Sequence, residues 1–107
     1  MRFNRDRQSE HAALFLAIRD VVLSFDGVQE KRKPQLTSYH NAGGGLCYMR
    51  AGKLGIRMGF FKGAHMDDIF GLLRGEQKHM RHLFLDSLQE DVLFYYMLQA
   101  MEQNKGR

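Results

Sequence analysis

The sequence predicts an α+β domain: a mostly antiparallel sheet of about four to five strands, with N- and C-terminal helices packed on one face. Three observations lead there. Apolar residues recur at three- and four-residue spacing between Glu10 and Phe25. From Leu54 to Phe61 they alternate with Gly and Arg, the period of a strand with one buried face. Beyond Ser87 the helical spacing returns and runs to about Glu102.

Taken in order, the first helix presents Leu14, Phe15, Ile18, Val21, Val22 and Phe25 on one side. Ser9 suits its N-cap, and Gly27 suits a left-handed turn at its end. Residues 1 to 8 read as a frayed polar arm. After the basic run Lys31-Arg32-Lys33, Pro34 starts an extended segment from Gln35 to His40, because the residue before a proline avoids helical backbone. Gly43-Gly44-Gly45 reads as a loop. Leu46 to Arg50 and Leu54 to Phe61 read as two strands of a hairpin turning at Ala51-Gly52. Met66 to Leu73 reads as a short helix, with Asp67 and Asp68 in its first turn and Gly75 beyond its end. Met80 to Asp86 reads as a further strand. Ser87-Leu88-Gln89-Glu90 matches a capping box for the closing helix.

With 107 residues, a single domain spanning 1–107 is expected, with residues 1–8 and 103–107 as frayed tails. Eight Phe and four Tyr are enough to fill one compact interior. No apolar run approaches the ~20 residues of a membrane span, and the basic N-terminus lacks the apolar stretch of a signal peptide, so a cytoplasmic location and no membrane partner are expected. The one cysteine, Cys47, has no disulfide partner and reads as a small buried hydrophobe. Sixteen Lys and Arg against twelve Asp and Glu give a net charge of +4, a mild attraction for anions. That excess is too small to point to nucleic acid, which is not expected as a partner.

Catalytic templates fail one by one. Gly43-Gly44-Gly45 is followed by Leu46-Cys47, where a phosphate loop has Lys and then Ser or Thr. Ser9, Ser24, Ser38 and Ser87 lie in no nucleophile-elbow context. A metal would draw on His65, Asp67, Asp68, His79 or His82, but His79 and His82 lie three apart at the entry to a strand, where such residues point to opposite faces. No metal and no cofactor are therefore expected. The strand face shared by Gly55, Arg57, Gly59 and Phe61 is the more informative one: glycines on either side of an arginine allow a ligand's close approach, or mark a bulge. Tyr48, Arg50, Lys53, Lys62 and Arg81 are placed to add positive and aromatic surface beside Arg57 for a small anion.

The run Phe60-Phe61-Lys62-Gly63-Ala64-His65-Met66-Asp67-Asp68, followed by Lys78-His79-Met80-Arg81-His82-Leu83-Phe84-Leu85-Asp86, resembles the YdhG-like family of bacterial domains of unknown function. Glu30-Lys31, Pro34 and Leu46-Cys47-Tyr48-Met49 extend the resemblance over about residues 10–102. It implies a compact α+β domain with no established activity. Some members are described as frataxin-like iron chaperones, a role that uses an acidic surface. The positive charge here argues against transferring it.

The expected function is a non-catalytic binding module for a small anionic ligand or a protein partner, with frataxin-like metal handling as the alternative. In the closing helix, Leu88, Val92, Leu93, Tyr96, Met97 and Ala100 share the face that covers the sheet. Phe94, Leu98 and Met101 form a second stripe opposite, which predicts a homodimer interface or, alternatively, a contact between the two long helices.

Overall fold

The computed structural model describes residues 1–105. Five strands form one antiparallel sheet in sequence order: β1 (Gln29–Arg32), β2 (Thr37–Asn41), β3 (Gly44–Gly52), β4 (Gly55–Phe60) and β5 (Arg81–Leu85). Helices α1 (Arg2–Arg7) and α2 (Ala12–Leu23) precede the sheet, and α3 (Glu90–Gln103) follows it. No helix among the described residues is long and apolar enough to cross a membrane.

The core lies between one face of the sheet and α2 and α3. Phe15, Ile18 and Val22 of α2 and Val92, Leu93, Tyr96, Met97 and Ala100 of α3 are buried, as their spacing requires. They meet Cys47, Met49, Ile56, Met58, Phe60, Leu83 and Leu85 of the sheet. The Cys47 thiol lies 3.8 Å from the Met97 sulfur, and the Phe60 and Tyr96 rings are 5.7 Å apart. Burial pushes the thiol of Cys47 up from its ordinary pKa and keeps it protonated.

Several expectations need correction. Residues 1–8 are no frayed arm: α1 is anchored by Phe3, buried edge-on against Phe15 with the Arg32 guanidinium 3.7 Å above its ring centroid. Arg2 Nε donates to the buried Asp6 carboxylate at 2.8 Å, and Arg2 also donates to the Ala51 carbonyl. A six-residue helix cannot hold itself together in water, so these contacts are what form it. At the other end, Asn104 is buried, not frayed. Its amide nitrogen donates to Asn41 Oδ1 (3.0 Å) and to the carbonyls of Gly44 (3.1 Å) and Gly45 (3.4 Å), tying the end of α3 to the β2–β3 turn. The last two residues of the expected C-terminal tail, 106–107, lie outside the described residues.

β1 occupies part of what read as a basic connector, with Glu30 opposite Tyr39 and Lys31 opposite Ser38. The hairpin turns at Lys53-Leu54, not at Ala51-Gly52, because Gly52 and Gly55 still pair. The expected helix at Met66–Leu73 does not form. Only a single 3-10 turn, Gly63–His65, precedes an irregular loop. There the Asp68 carboxylate accepts from the amides of Leu72 (3.1 Å) and Leu73 (3.3 Å) and from the Tyr96 hydroxyl, so a side chain takes the donors that a helix would have used. Neither serine caps a helix: Ser9 accepts from the His11 amide, one residue before α2, and Ser87 accepts from the Gln89 side chain, three residues before α3.

Candidate functional site

Alternation along the strands sends every second residue to the sheet face that α2 and α3 do not cover. Two rows of cross-strand neighbours result. Lys31, Ser38, Tyr48, Gly59 and His82 form one across all five strands, and Arg50, Arg57 and Phe84 form the other across β3, β4 and β5. The strands contain one carboxylate, Glu30, and it points to the helices, where it meets Arg19 and Tyr39. The open face is therefore cationic, with no acid of its own strands to neutralise it.

Gly59 sets the local geometry. A Cβ there would lie 1.9 Å from the Tyr48 ring, so the absence of a side chain lets that ring lie flat against β4. Tyr48 is held in place by Arg57, whose Nε donates to its hydroxyl at 3.2 Å, and by the Phe61 ring at 6.1 Å. Beside them Arg57 Nη2 lies 3.4 Å from His82 Nδ1. Partial burial, together with the charges of Arg57 and Arg74, lowers the pKa of His82 and favours its neutral form.

At the β1–β2 side of this face, Lys31, Lys33 and Lys62 surround a concavity of about 750 Å³ together with His40, His65 and His79. Ser38, Gly44, Gly45 and Phe61 complete most of its wall. A register shift between Tyr39 and His40 produces this shape: Leu46 and Cys47 both enter the core, which leaves His40 opposite Gly45 on the open side. Lys62 Nζ donates to Asn104 Oδ1 at 2.7 Å, so the clamp at the end of α3 also positions one cation of the groove. His65 Nε2 and His79 Nδ1 are 2.9 Å apart, a contact in which one ring must donate and the other accept.

Of the residues singled out in the sequence, Tyr48, Arg50 and Arg57 do share the open face, and Lys62 borders the groove. Lys53 lies in the β3–β4 turn, where its carbonyl is 3.0 Å from His11 Nε2, and it lines neither this groove nor the arginine end of the face. Arg81 donates to the carbonyls of Gln77 and Met80 and pins its own loop. Among the candidate ligands, only His65 and His79 come together. Asp67 is tied through its backbone to Gln99, Asp68 is turned to Tyr96, and His82 sits beside Arg57. No three His, Cys, Asp or Glu converge among the described residues.

Sequence reasoning did not find Lys31, Lys33, Ser38 or His40 as site residues. The signal for Lys31 was its place in the run Lys31-Arg32-Lys33, where Lys31 and Arg32 take opposite faces once β1 extends through them. In the closing helix, Phe94 is 41% exposed and packs on Phe25 at 5.4 Å, Leu98 is 58% exposed, and Met101 is partly buried beside Asn41. Compared with known proteins, the chain matches no family model, and no curated protein or solved structure gives a significant match. The fold and the open face define it as a helix-backed antiparallel meander with a basic concave surface.

Proposed function

We propose that this chain is a non-catalytic binding module that holds a small anionic ligand in the groove of Lys31, Lys33 and Lys62. The observation that carries the reading is the composition of that wall: three lysines, three histidines and a serine hydroxyl around one concavity, with no carboxylate among the described residues that line it. Cations gathered on one wall attract an anion, which accepts hydrogen bonds from their ammonium groups. Phosphate and carboxylate groups both fit this chemistry, and the half-buried Phe61 ring offers an apolar surface to the remainder of such a ligand.

Titration calorimetry with inorganic pyrophosphate at low salt tests it. The expected result is saturable binding that the double variant Lys31→Glu/Lys33→Glu weakens by at least about a hundredfold, since two charge-assisted hydrogen bonds contribute roughly 1.5–3 kcal/mol each. Lys31 is exposed and Lys33 half-buried, so the melting temperature should stay within a few degrees of the parent's. Unchanged binding in that variant would dismiss the groove as the site.

Self-association through α3 is a separate proposal, supported by the neighbouring exposed side chains of Phe94 and Leu98. Leu98→Glu is expected to convert a dimer to a folded monomer in sedimentation velocity. A parent protein that is monomeric at tens of micromolar would remove this reading.

A further inference from the structure

Resting on the reading of the lysine groove as an anion site, we infer that the ligand of the open face is a single-stranded nucleic acid, lying across the sheet from that groove to Arg50, Arg57 and Phe84. The far end of the face has a concavity of its own, about 260 Å³, lined by Arg2, Arg50, Arg57 and Phe84 with the backbone of Ala51 and Gly52. Arg50 and Arg57 stand directly opposite each other on β3 and β4. Like charges in that position oppose strand pairing. An anion placed between them removes the penalty.

Two further features select a polyanion with flat bases. Phe84 is 48% exposed on the same face, with the Arg57 guanidinium 5.8 Å from its ring centroid and the His82 ring edge-on at 5.5 Å. A large apolar ring kept in water beside a cation is the arrangement on which an unpaired base stacks while its phosphate is neutralised. Phe61 takes the corresponding place at the lysine end. Lys31 on β1 and Arg57 on β4 are three strand spacings apart, roughly 14 Å, which a lone phosphate or pyrophosphate cannot bridge and a short extended oligonucleotide can. An acidic polypeptide would satisfy the charges but bring no base to stack on either ring.

Fluorescence anisotropy with fluorescein-labelled dT10 provides the test. Saturable binding is expected at 50 mM KCl, weakening roughly fiftyfold at 200 mM if about four phosphates are contacted. Arg50→Glu should weaken dT10 at least tenfold and leave pyrophosphate binding within twofold, because Arg50 is not part of the lysine groove. Phe84→Ala should weaken dT10 by about tenfold through lost stacking. Both side chains are exposed, and unchanged melting temperatures would confirm folded variants. Pyrophosphate binding without dT10 binding, or dT10 binding that neither variant alters, would overturn the nucleic-acid inference and leave the small-anion reading intact. Displacement of dT10 by polyglutamate at equal charge concentration would overturn it in favour of an acidic polypeptide. Conversely, dT10 held through Arg50 and Phe84 with no pyrophosphate binding would remove the groove reading alone.

Discussion

Replacing Glu30 with alanine is expected to destabilise the fold by about 2–4 kcal/mol, lowering the melting temperature by roughly 10–20 °C for a domain of this size. Glu30 lies on the helix side of β1 with its side chain 11% exposed. Its oxygens accept from Arg19 Nε (2.5 Å) and Arg19 Nη2 (3.1 Å), from Arg32 Nε (3.0 Å) and from the Tyr39 hydroxyl (3.1 Å). Without the carboxylate, two guanidinium groups would face each other and the buried Tyr39 hydroxyl would lose its acceptor. The pair is half-open to solvent on the arginine side, which is why the expected loss stays below that of a fully enclosed ion pair. A loss under 0.5 kcal/mol by denaturant titration would show that water replaces the cluster.

The same site should shape stability at acid pH. Burial raises the carboxyl pKa of Glu30, but the hydrogen bonds from Arg19, Arg32 and Tyr39 outweigh burial and hold it below its usual value of 4.5. A carboxylate with a depressed folded-state pKa contributes stability that is complete above the unfolded value and is lost as pH falls through the folded one. Between pH 5 and pH 3 the melting temperature of Glu30→Gln should therefore decline less steeply than that of the parent. Parallel declines would assign the acid sensitivity to other carboxylates.

Gly55→Ala carries the second large effect, about 3–5 kcal/mol. Gly55 closes the two-residue turn between β3 and β4 at φ +140°, a region that L side chains rarely enter. The added Cβ would lie 2.3 Å from the Leu85 carbonyl oxygen, and that oxygen is backbone in the neighbouring strand. Strain of roughly 1–3 kcal/mol thus adds to the cost of displacing β5. Gly44→Ala separates the two contributions, since Gly44 has φ +120° with nothing within 4 Å of its would-be Cβ. It should lose only the strain. Equal losses in the two variants, measured by denaturant unfolding, would mean that β5 yields without cost.

How much of this was legible beforehand depended on whether a signal was local. The buried faces of α2 and α3 and the strand within Leu54–Phe61 follow from periodicity and hold, except that Leu54 is exposed in the β3–β4 turn and Leu88 is exposed ahead of α3. So does the sharing of one face by Tyr48, Arg50 and Arg57, because a hairpin fixes register between neighbours. The approach of His65 to His79, fourteen residues apart in sequence, was not readable from local spacing. The elements that were misread share another property. Met66–Leu73 has a helix-like pattern with acids in its first turn, yet Asp68 is captured by Tyr96 from α3, twenty-eight residues away. No window of sequence around Asp68 contains that partner.

From its sequence alone this chain is an α+β domain with a helix-backed antiparallel sheet and a cationic excess, since propensity, period and net charge are summed over neighbouring residues. Tertiary structure alone decided the remainder. It made a helix of residues 2–7, because Phe3 gains partners only when Phe15 and Arg32 are in place around it and Arg2 reaches the Ala51 carbonyl. It drew Lys31 and Arg32 of the basic connector into an edge strand, sending Lys31 to the open face and Arg32 over Phe3. By carrying Asn104 back to the β2–β3 turn, it set Lys62 beside the groove that Lys31 and Lys33 approach from the other side. Residues thirty to seventy positions apart meet only because each chain reversal of the sheet brings them to one surface, and that long-range geometry is absent from any local pattern.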